Sequence, residues 1–332
     1  MAASSIPVVT DIHPQSFIGG FQFNNGRSYR IFYQDKAGLI HACVTDNWGG
    51  KWSYGDSQPI TRPNEAMVPT PITSTIYSDK QGGHSRTFYI TKDHKIACFA
   101  VGGGKNGVIG NWVTAPYSRL GAISWVYNGV GHMRLYYQSN DDHIQELCWD
   151  GSGDFKAGHR FPCPKKGTSL AFVNLAPKAS SPIIRGYYQH TTDHILEVRW
   201  ENGHWGAGPL DIGPVRSDGY DTAHISACAS AAGVVAQYWA VASNVSDCHL
   251  TYERWEQNGQ CKGNNSGSCI VPCFSKGNPH FLATCHVPDN TDETRIRLFF
   301  VGCNGKLCEA RRENGHWGWG GKECGNIKWE KC

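Results

Sequence analysis

Three arginine–glutamate pairs stand at one spacing: Arg134 with Glu146, Arg185 with Glu197 and Arg297 with Glu309 are each twelve residues apart. On neighbouring antiparallel strands such a pair can share one face, where a guanidinium offers only donors and a carboxylate only acceptors. Adjacent hydroxyls of a polyhydroxylated ligand want one of each. Trp149 and Trp200, three places after two of the glutamates, add a flat apolar wall. The plainer use of each pair is a cross-strand ion pair worth about 0.2–1 kcal/mol, with the tryptophans as packing. Three pairs at identical spacing argue against that use for all of them.

Other chemistries lack their residues. No CxxC, HExxH, Gly-x-Ser-x-Gly or Walker motif occurs, so neither a metal nor a cofactor is expected and no residue is assigned as catalytic. A glycosidase needs two carboxylates about 5–10 Å apart, whereas these glutamates recur singly. Sialidase boxes of the Ser-x-Asp-x-Gly-x-Thr-Trp type are absent. His143, His194, His204 and His316 recur at turns and Gly-His-Trp elements and read as scaffold.

The elements that must position these residues repeat. Arg30-Ile-Phe-Tyr-Gln34, Arg134-Leu-Tyr-Tyr-Gln138, Arg185-Gly-Tyr-Tyr-Gln189 and Arg297-Leu-Phe-Phe-Val301 superimpose directly, and Arg86-Thr-Phe-Tyr-Ile90 nearly so. The arginines lie 56, 48, 51 and then 112 residues apart. The last gap is two periods, which predicts a sixth copy near residue 236, and Val235-Ala236-Gln237-Tyr238-Trp239 stands there. Each unit reads as four short strands. An apolar strand precedes the Arg-Φ-Tyr-Tyr-Gln strand, which alternates its faces. A turn such as Asn140-Asp-Asp-His143 leads to a third strand, and Gly203-His-Trp205 or Gly315-His-Trp317 announces a fourth. Six four-stranded units of about 50 residues give an all-β, six-bladed β-propeller of antiparallel strands. It forms a single domain over residues 1–332, its blades carrying Arg30, Arg86, Arg134, Arg185, Ala236 and Arg297.

Composition agrees with strands and turns: 39 Gly, 12 Trp and only 18% charged residues. The net charge of +3, without a like-charge block, gives no reason to expect nucleic acid or an anionic membrane as partner. No window suits a membrane span. The 14 cysteines are even in number and 10 of them follow residue 227, which predicts a disulfide-stapled, secreted protein. No signal peptide is visible at the N-terminus, so a leader is expected to have been removed. Asn244 and Asn264 head glycosylation sequons.

The strings Arg134-Leu-Tyr-Tyr-Gln…Ile144-Gln-Glu-Leu-Cys-Trp149-Asp150 and Arg185…Ile195-Leu-Glu-Val-Arg-Trp200 resemble the repeat of fungal fucose-specific lectins, and the likeness runs from about residue 17 to 320. The resemblance implies a six-bladed propeller binding L-fucose or fucosylated glycans between blades. Arginine and glutamate of one blade would hold the sugar, and aromatics of the next would pack on its apolar face and methyl group. Carried over, it implies one complete site, Arg134 and Glu146 facing Trp200 and Trp205. A second, Arg185 and Glu197, would face Trp255 without a partner tryptophan. The third, Arg297 and Glu309, would close the ring against Trp48 and Trp52. The other clefts depart from the pattern: Ala42 and Cys98 stand where the glutamate should follow Arg30 and Arg86, and Ala236 replaces an arginine.

Two functions fit. A multivalent fucose-binding lectin is favoured by the intact pairs, because several weak sites add avidity. The alternative is a secretory-pathway enzyme on the same fold, resembling lectin-like hetero-Diels–Alderases that join a terpene to a tropolone quinone methide. Such an enzyme needs an aromatic pocket and an oxyanion donor but no cofactor.

Overall fold

The computed structural model describes residues 11–24, 26–46, 52–55, 58–176, 181–215, 222–229, 235–243, 247–255, 280–286, 295–302, 305–313 and 316–319. These residues form six antiparallel sheets. The first comprises β1 (Gly19–Phe23), β2 (Ser28–Gln34), β3 (Ile40–Thr45) and β4 (Ser53–Tyr54); the second β5 (Ile72–Asp79), β6 (Gly82–Ile90), β7 (Lys95–Val101) and β8 (Gly107–Val113). The third holds β9 (Leu120–Tyr127), β10 (Val130–Gln138), β11 (Ile144–Asp150) and β12 (Lys156–Phe161); the fourth β13 (Ala171–Asn174), β14 (Ile184–Gln189), β15 (Ile195–Glu201) and β16 (His204–Ile212). The fifth has β17 (His224–Ala229), β18 (Val235–Ser243) and β19 (Asp247–Trp255), and the sixth β20 (Phe281–His286), β21 (Arg295–Val301), β22 (Leu307–Glu313) and β23 (His316–Trp319). Each strand pairs with the next in sequence, as short hairpin connections require.

The innermost strands β1, β5, β9, β13, β17 and β20 touch in that order, and β20 returns to β1. The chain is therefore an all-β propeller. The expectation of four strands in every unit holds for five sheets; the fifth shows three among the described residues.

The repeated Arg-Φ-Tyr-Tyr-Gln string is the second strand of its blade, and the string explains the packing. Its inward aromatics fill clusters that lie between blades rather than inside them. Tyr136 of β10 packs with Phe172, Tyr188 and Trp205 of the fourth blade, and Tyr29 and Ile31 pack with Phe299 and Val301 of the sixth. Burying each such ring stabilises by about 1.5–3 kcal/mol, so blade-to-blade contact is where the core sits. The terminal glutamine latches the next blade. Gln138 Nε2 donates to Lys165 O at 3.1 Å and its Oε1 accepts from Gly167 N at 2.9 Å. Gln34 and Gln189 make the equivalent bonds to residues 67 and 70 and to residues 215 and 223. A hydroxyl ahead of the inner strand completes the pattern: Ser16, Thr70, Ser118 and Thr168 each accept from the last amide of a second strand.

The turn after that strand puts one residue in the left-handed region at the same place in five blades: Gly38, His94, Asp142, Asp193 and Gly305. Asp and Gly tolerate this conformation, which is the turn chemistry the sequence displays.

The disulfide expectation is corrected for the N-terminal cysteines. Cys43, Cys98, Cys148 and Cys163 carry free thiols. The first three sit on third strands of three different blades, β3, β7 and β11, and an even count says nothing about such a distribution. Cys43 and Cys98 are small core residues, and burial pushes both thiols up to about 12. The side chains of Cys248, Cys261, Cys269, Cys273, Cys285, Cys303, Cys324 and Cys332, and the sequons at Asn244 and Asn264, lie outside the described residues. Among the described residues no helix is long and apolar enough to cross a membrane.

Candidate functional site

Between the third and fourth blades lies a cleft of about 380 Å3. Arg134, Glu146 and Trp200, three of the four residues expected to form one site, line it together. Trp205 stands behind them: it packs against Trp200 with ring centroids 5.7 Å apart and meets the Tyr136 ring edge-on at 6.3 Å.

The strand register explains the placement of Arg134 and Glu146. Tyr136 of β10 lies directly opposite Glu146 of β11, and Arg134 lies opposite Cys148. The arginine and glutamate are thus diagonal neighbours on one face, not a facing pair. Glu146 sits where the β11–β12 register shifts, between Gln145 and Leu147, a bulge that re-aims its side chain. There Tyr136 donates its hydroxyl to Oε1 at 3.0 Å and the His159 amide donates to Oε2 at 3.0 Å. Gly158 makes the room: a Cβ on it would stand 2.7 Å from Cys148 Sγ and closer still to Glu146 Oε2. Glu197 of the next blade occupies the matching register shift in β15 and is matched by Gly208, whose Cβ would also meet its carboxylate.

Arg134 is held by a different carboxylate from the one expected. Its Nη1 donates to Asp150 Oδ1 at 2.8 Å and to Met133 O at 2.8 Å. Its guanidinium carbon lies 4.9 Å from the Trp125 ring centre. No ion pair joins Arg134 to Glu146, and Arg134 Nε and Nη2 make no hydrogen bond among the described residues. The cleft therefore presents unused guanidinium donors beside a carboxylate whose oxygens retain acceptor capacity, with Trp200 across from them.

Three cleft residues were missed by sequence reasoning. Trp125, His132 and Asp150 form one row across β9, β10 and β11, because Trp125 and Asp150 are both register partners of His132. The His132 ring stacks on Trp125 at 5.3 Å and 11°, and its Nδ1 donates to Asp150 Oδ1 at 2.7 Å. Burial works to raise the Asp150 pKa, but the hydrogen bonds from His132 and Arg134 outweigh it and hold the carboxyl below its usual range. Burial pushes the Cys148 thiol up to about 12, so it faces the cleft uncharged. The signal for His132 was available, since it stands two residues before Arg134 on the same strand face.

In the other two expected sites the arginine and the glutamate lie against each other. Arg185 Nε lies 3.4 Å from Glu197 Oε1, and its Nη2 lies 3.5 Å from Glu201, a second carboxylate. Arg297 and Glu309 pair at 3.0 Å with both side chains 0% exposed, and the Tyr29 ring covers the Arg297 guanidinium at 4.2 Å. Trp52 is buried edge-on against Phe299 at 5.6 Å. Only the backbone of Trp255, opposite Val235, is described, and Trp48 lies outside the described residues. In the second blade Cys98 stands opposite Phe88, where Glu146 stands opposite Tyr136. Arg86 there donates to the carbonyls of Ser85 and Val101.

Sheets in a ring, with a tryptophan-backed guanidinium–carboxylate cleft between two of them, define a β-propeller of lectin form. The chain matches the fungal fucose-specific lectin family over residues 21–247 and belongs to that family. A fucose-specific lectin of Aspergillus fumigatus is 25% identical over 296 residues, 87% of each chain. Fucose-specific lectins of Arthrobotrys oligospora and Aleuria aurantia are 30% and 28% identical over 183 and 198 residues, 50% and 55% of this chain. This chain spans about half the length of those two relatives, 48% and 58%. Among solved structures, AofleA from Arthrobotrys oligospora is similar with a TM-score of 0.75 at 24% identity, covering 93% of this chain and 86% of that one. The six-bladed lectin of Aleuria aurantia gives 0.72 at 22%, covering 94% and 96%. At these identities the structural likeness establishes the fold. A variant of the Aleuria aurantia lectin has been solved with α-methyl-L-fucoside.

Proposed function

We propose that this chain is a six-bladed fucose-binding lectin that takes L-fucose, free or at the end of a fucosylated glycan, in the cleft between its third and fourth blades. The observation that carries the reading is the geometry of Arg134. Asp150 anchors one Nη of its guanidinium, the side chain lines the cleft beside Glu146, and Nε and Nη2 make no hydrogen bond among the described residues. Two donors and a carboxylate in fixed positions match vicinal sugar hydroxyls, and Trp200 supplies the apolar surface against which a 6-deoxy sugar lays its methyl group. A volume of about 380 Å3 is in the range of small-ligand sites. The relatives reported above are lectins by name, and no observation favours the cycloaddition reading over them.

Calorimetric titration with α-methyl-L-fucoside is the test. The expected result is saturable binding near one sugar per chain, weakened about ten- to a hundredfold in Arg134→Ala by loss of charge-assisted hydrogen bonds. Absence of heat at millimolar sugar would falsify the reading.

A further inference from the structure

The strand-leading segments of all six blades converge at one mouth of the propeller axis, and each contributes a different residue. Phe17, Pro71, Arg119, Lys166, His224 and His280 come from blades one to six in order, and they line a cavity of about 400 Å3. All but Lys166 also line the axial cavity of about 520 Å3, so they form the throat joining the two spaces. Among the described residues neither cavity is lined by an aspartate or glutamate.

The polar groups of the throat are built in, not incidental. Arg119 lies over the Phe17 ring at 4.2 Å, and its Nε donates to Gly167 O at 3.3 Å. No carboxylate pairs with it among the described residues. His224 and His280, 8% and 7% exposed, face each other with Nδ1 atoms 2.9 Å apart. The His280 ring stacks on the opposite side against Phe17 at 3.6 Å. Burial, with Arg119 adding to it, pulls both imidazoles well below their ordinary pKa. Lys166 is already paired with Asp142 at 3.1 Å and adds only a second, outer cation.

We infer that this throat is an anion site, distinct from the inter-blade cleft, that takes a small organic carboxylate. A guanidinium without a carboxylate partner, in a narrow wall of low dielectric, concentrates negative charge. It also offers the forked geometry that a carboxylate accepts. The two imidazoles from the fifth and sixth blades narrow the throat beside the guanidinium. Phe17 and Pro71 are the apolar surfaces on which the body of the carboxylate rests, which favours an organic anion over an inorganic one. The charged group facing the two rings is Arg119, whereas the first and second blades present Phe17 and Pro71.

The test is titration of the full chain with sodium benzoate and, separately, with sodium sulfate, against sodium chloride at matched ionic strength. Both anions keep their charge across neutral pH, so the comparison reads the contribution of the organic body. One benzoate per chain, bound more tightly than sulfate, is expected. In Arg119→Gln the benzoate affinity should fall at least tenfold, whereas Arg134→Ala should leave it unchanged. His280→Gln, which keeps Arg119 in place, should also weaken binding, and it decides the matter if Arg119→Gln does not fold. Failure of benzoate to bind saturably, binding by sulfate alone, or unaltered benzoate affinity in the folded His280→Gln protein would each overturn the assignment.

Discussion

Arg134 and Asp150 are joined at 2.8 Å, and this contact fixes the orientation of the guanidinium that lines the cleft. Asp150 sits at the outer end of β11, two strand positions beyond the carbon level of Arg134, and His132 occupies the same Oδ1 oxygen at 2.7 Å. Glu146 is left out of the ion pair and available to a ligand. In the other two pairs the glutamate lies against the arginine, and Glu309 also accepts from Arg311 at 2.8 Å.

Asp150→Ala should therefore cost binding without costing the fold. Its side chain is 52% exposed, and a surface ion pair of this kind contributes at most about 1 kcal/mol to stability. Calorimetry should show α-methyl-L-fucoside affinity falling about tenfold, ~1.4 kcal/mol, while the urea midpoint barely moves.

Acidification provides a second check on the same contact. The Asp150 carboxyl titrates below its ordinary range, burial being outweighed by the two hydrogen bonds. A depressed folded-state value means the contact is fully formed above the free carboxyl's value of about 3.9 and is lost as pH falls through the lower folded one. Fucoside affinity followed from pH about 7 to about 5 should show no change attributable to Asp150. A difference between wild type and Asp150→Asn that vanished already at the upper end of that window would contradict the assignment.

Gly158→Ala should act on the glutamate instead. The added Cβ would meet Cys148 Sγ and the Glu146 carboxylate, whose oxygens are tied to Tyr136 and the His159 amide. Displacing Glu146 from its bonds with Tyr136 and the His159 amide should abolish fucoside heat, at a stability cost of about 1–3 kcal/mol from overpacking. Thermal melting beside calorimetry separates the two effects.

Gln138→Ala addresses the fold rather than the site. It leaves the buried Gly167 N–H without its partner at the junction of the third and fourth blades, while Lys165 C=O keeps its bond from the Thr168 amide. Unfolding in urea should show a loss of about 1–3 kcal/mol, the penalty for stranding a buried backbone group. The stoichiometry of sugar binding to the folded fraction should not change.

Much of the architecture was legible because the repeat is carried by side chains that cannot be exchanged freely. The Arg-Φ-Tyr-Tyr-Gln string fixed the period, and Arg134, Glu146 and Trp200 do share a cleft. What the string could not show is which arginines remain accessible. That depends on residues outside the motif, such as Glu201 beside Arg185 and Tyr29 over Arg297. The role of the repeated glutamine was hidden for a related reason: its partners are backbone atoms of the following blade. The cysteine count misled because Cys43 and Cys98 serve as small buried residues, one per blade, a use that parity cannot reveal.

The two buried ion pairs at Glu197 and Glu309 also bear on valence. A propeller of this kind can bridge two surfaces only if at least two of its clefts accept sugar, and of the three arginine–glutamate pairs only that of Arg134 opens to solvent. A single chain that bound sugar through that cleft alone would cap one glycan terminus. Cross-linking would then require two copies held together, and its strength would follow protein concentration rather than the density of sites around one ring.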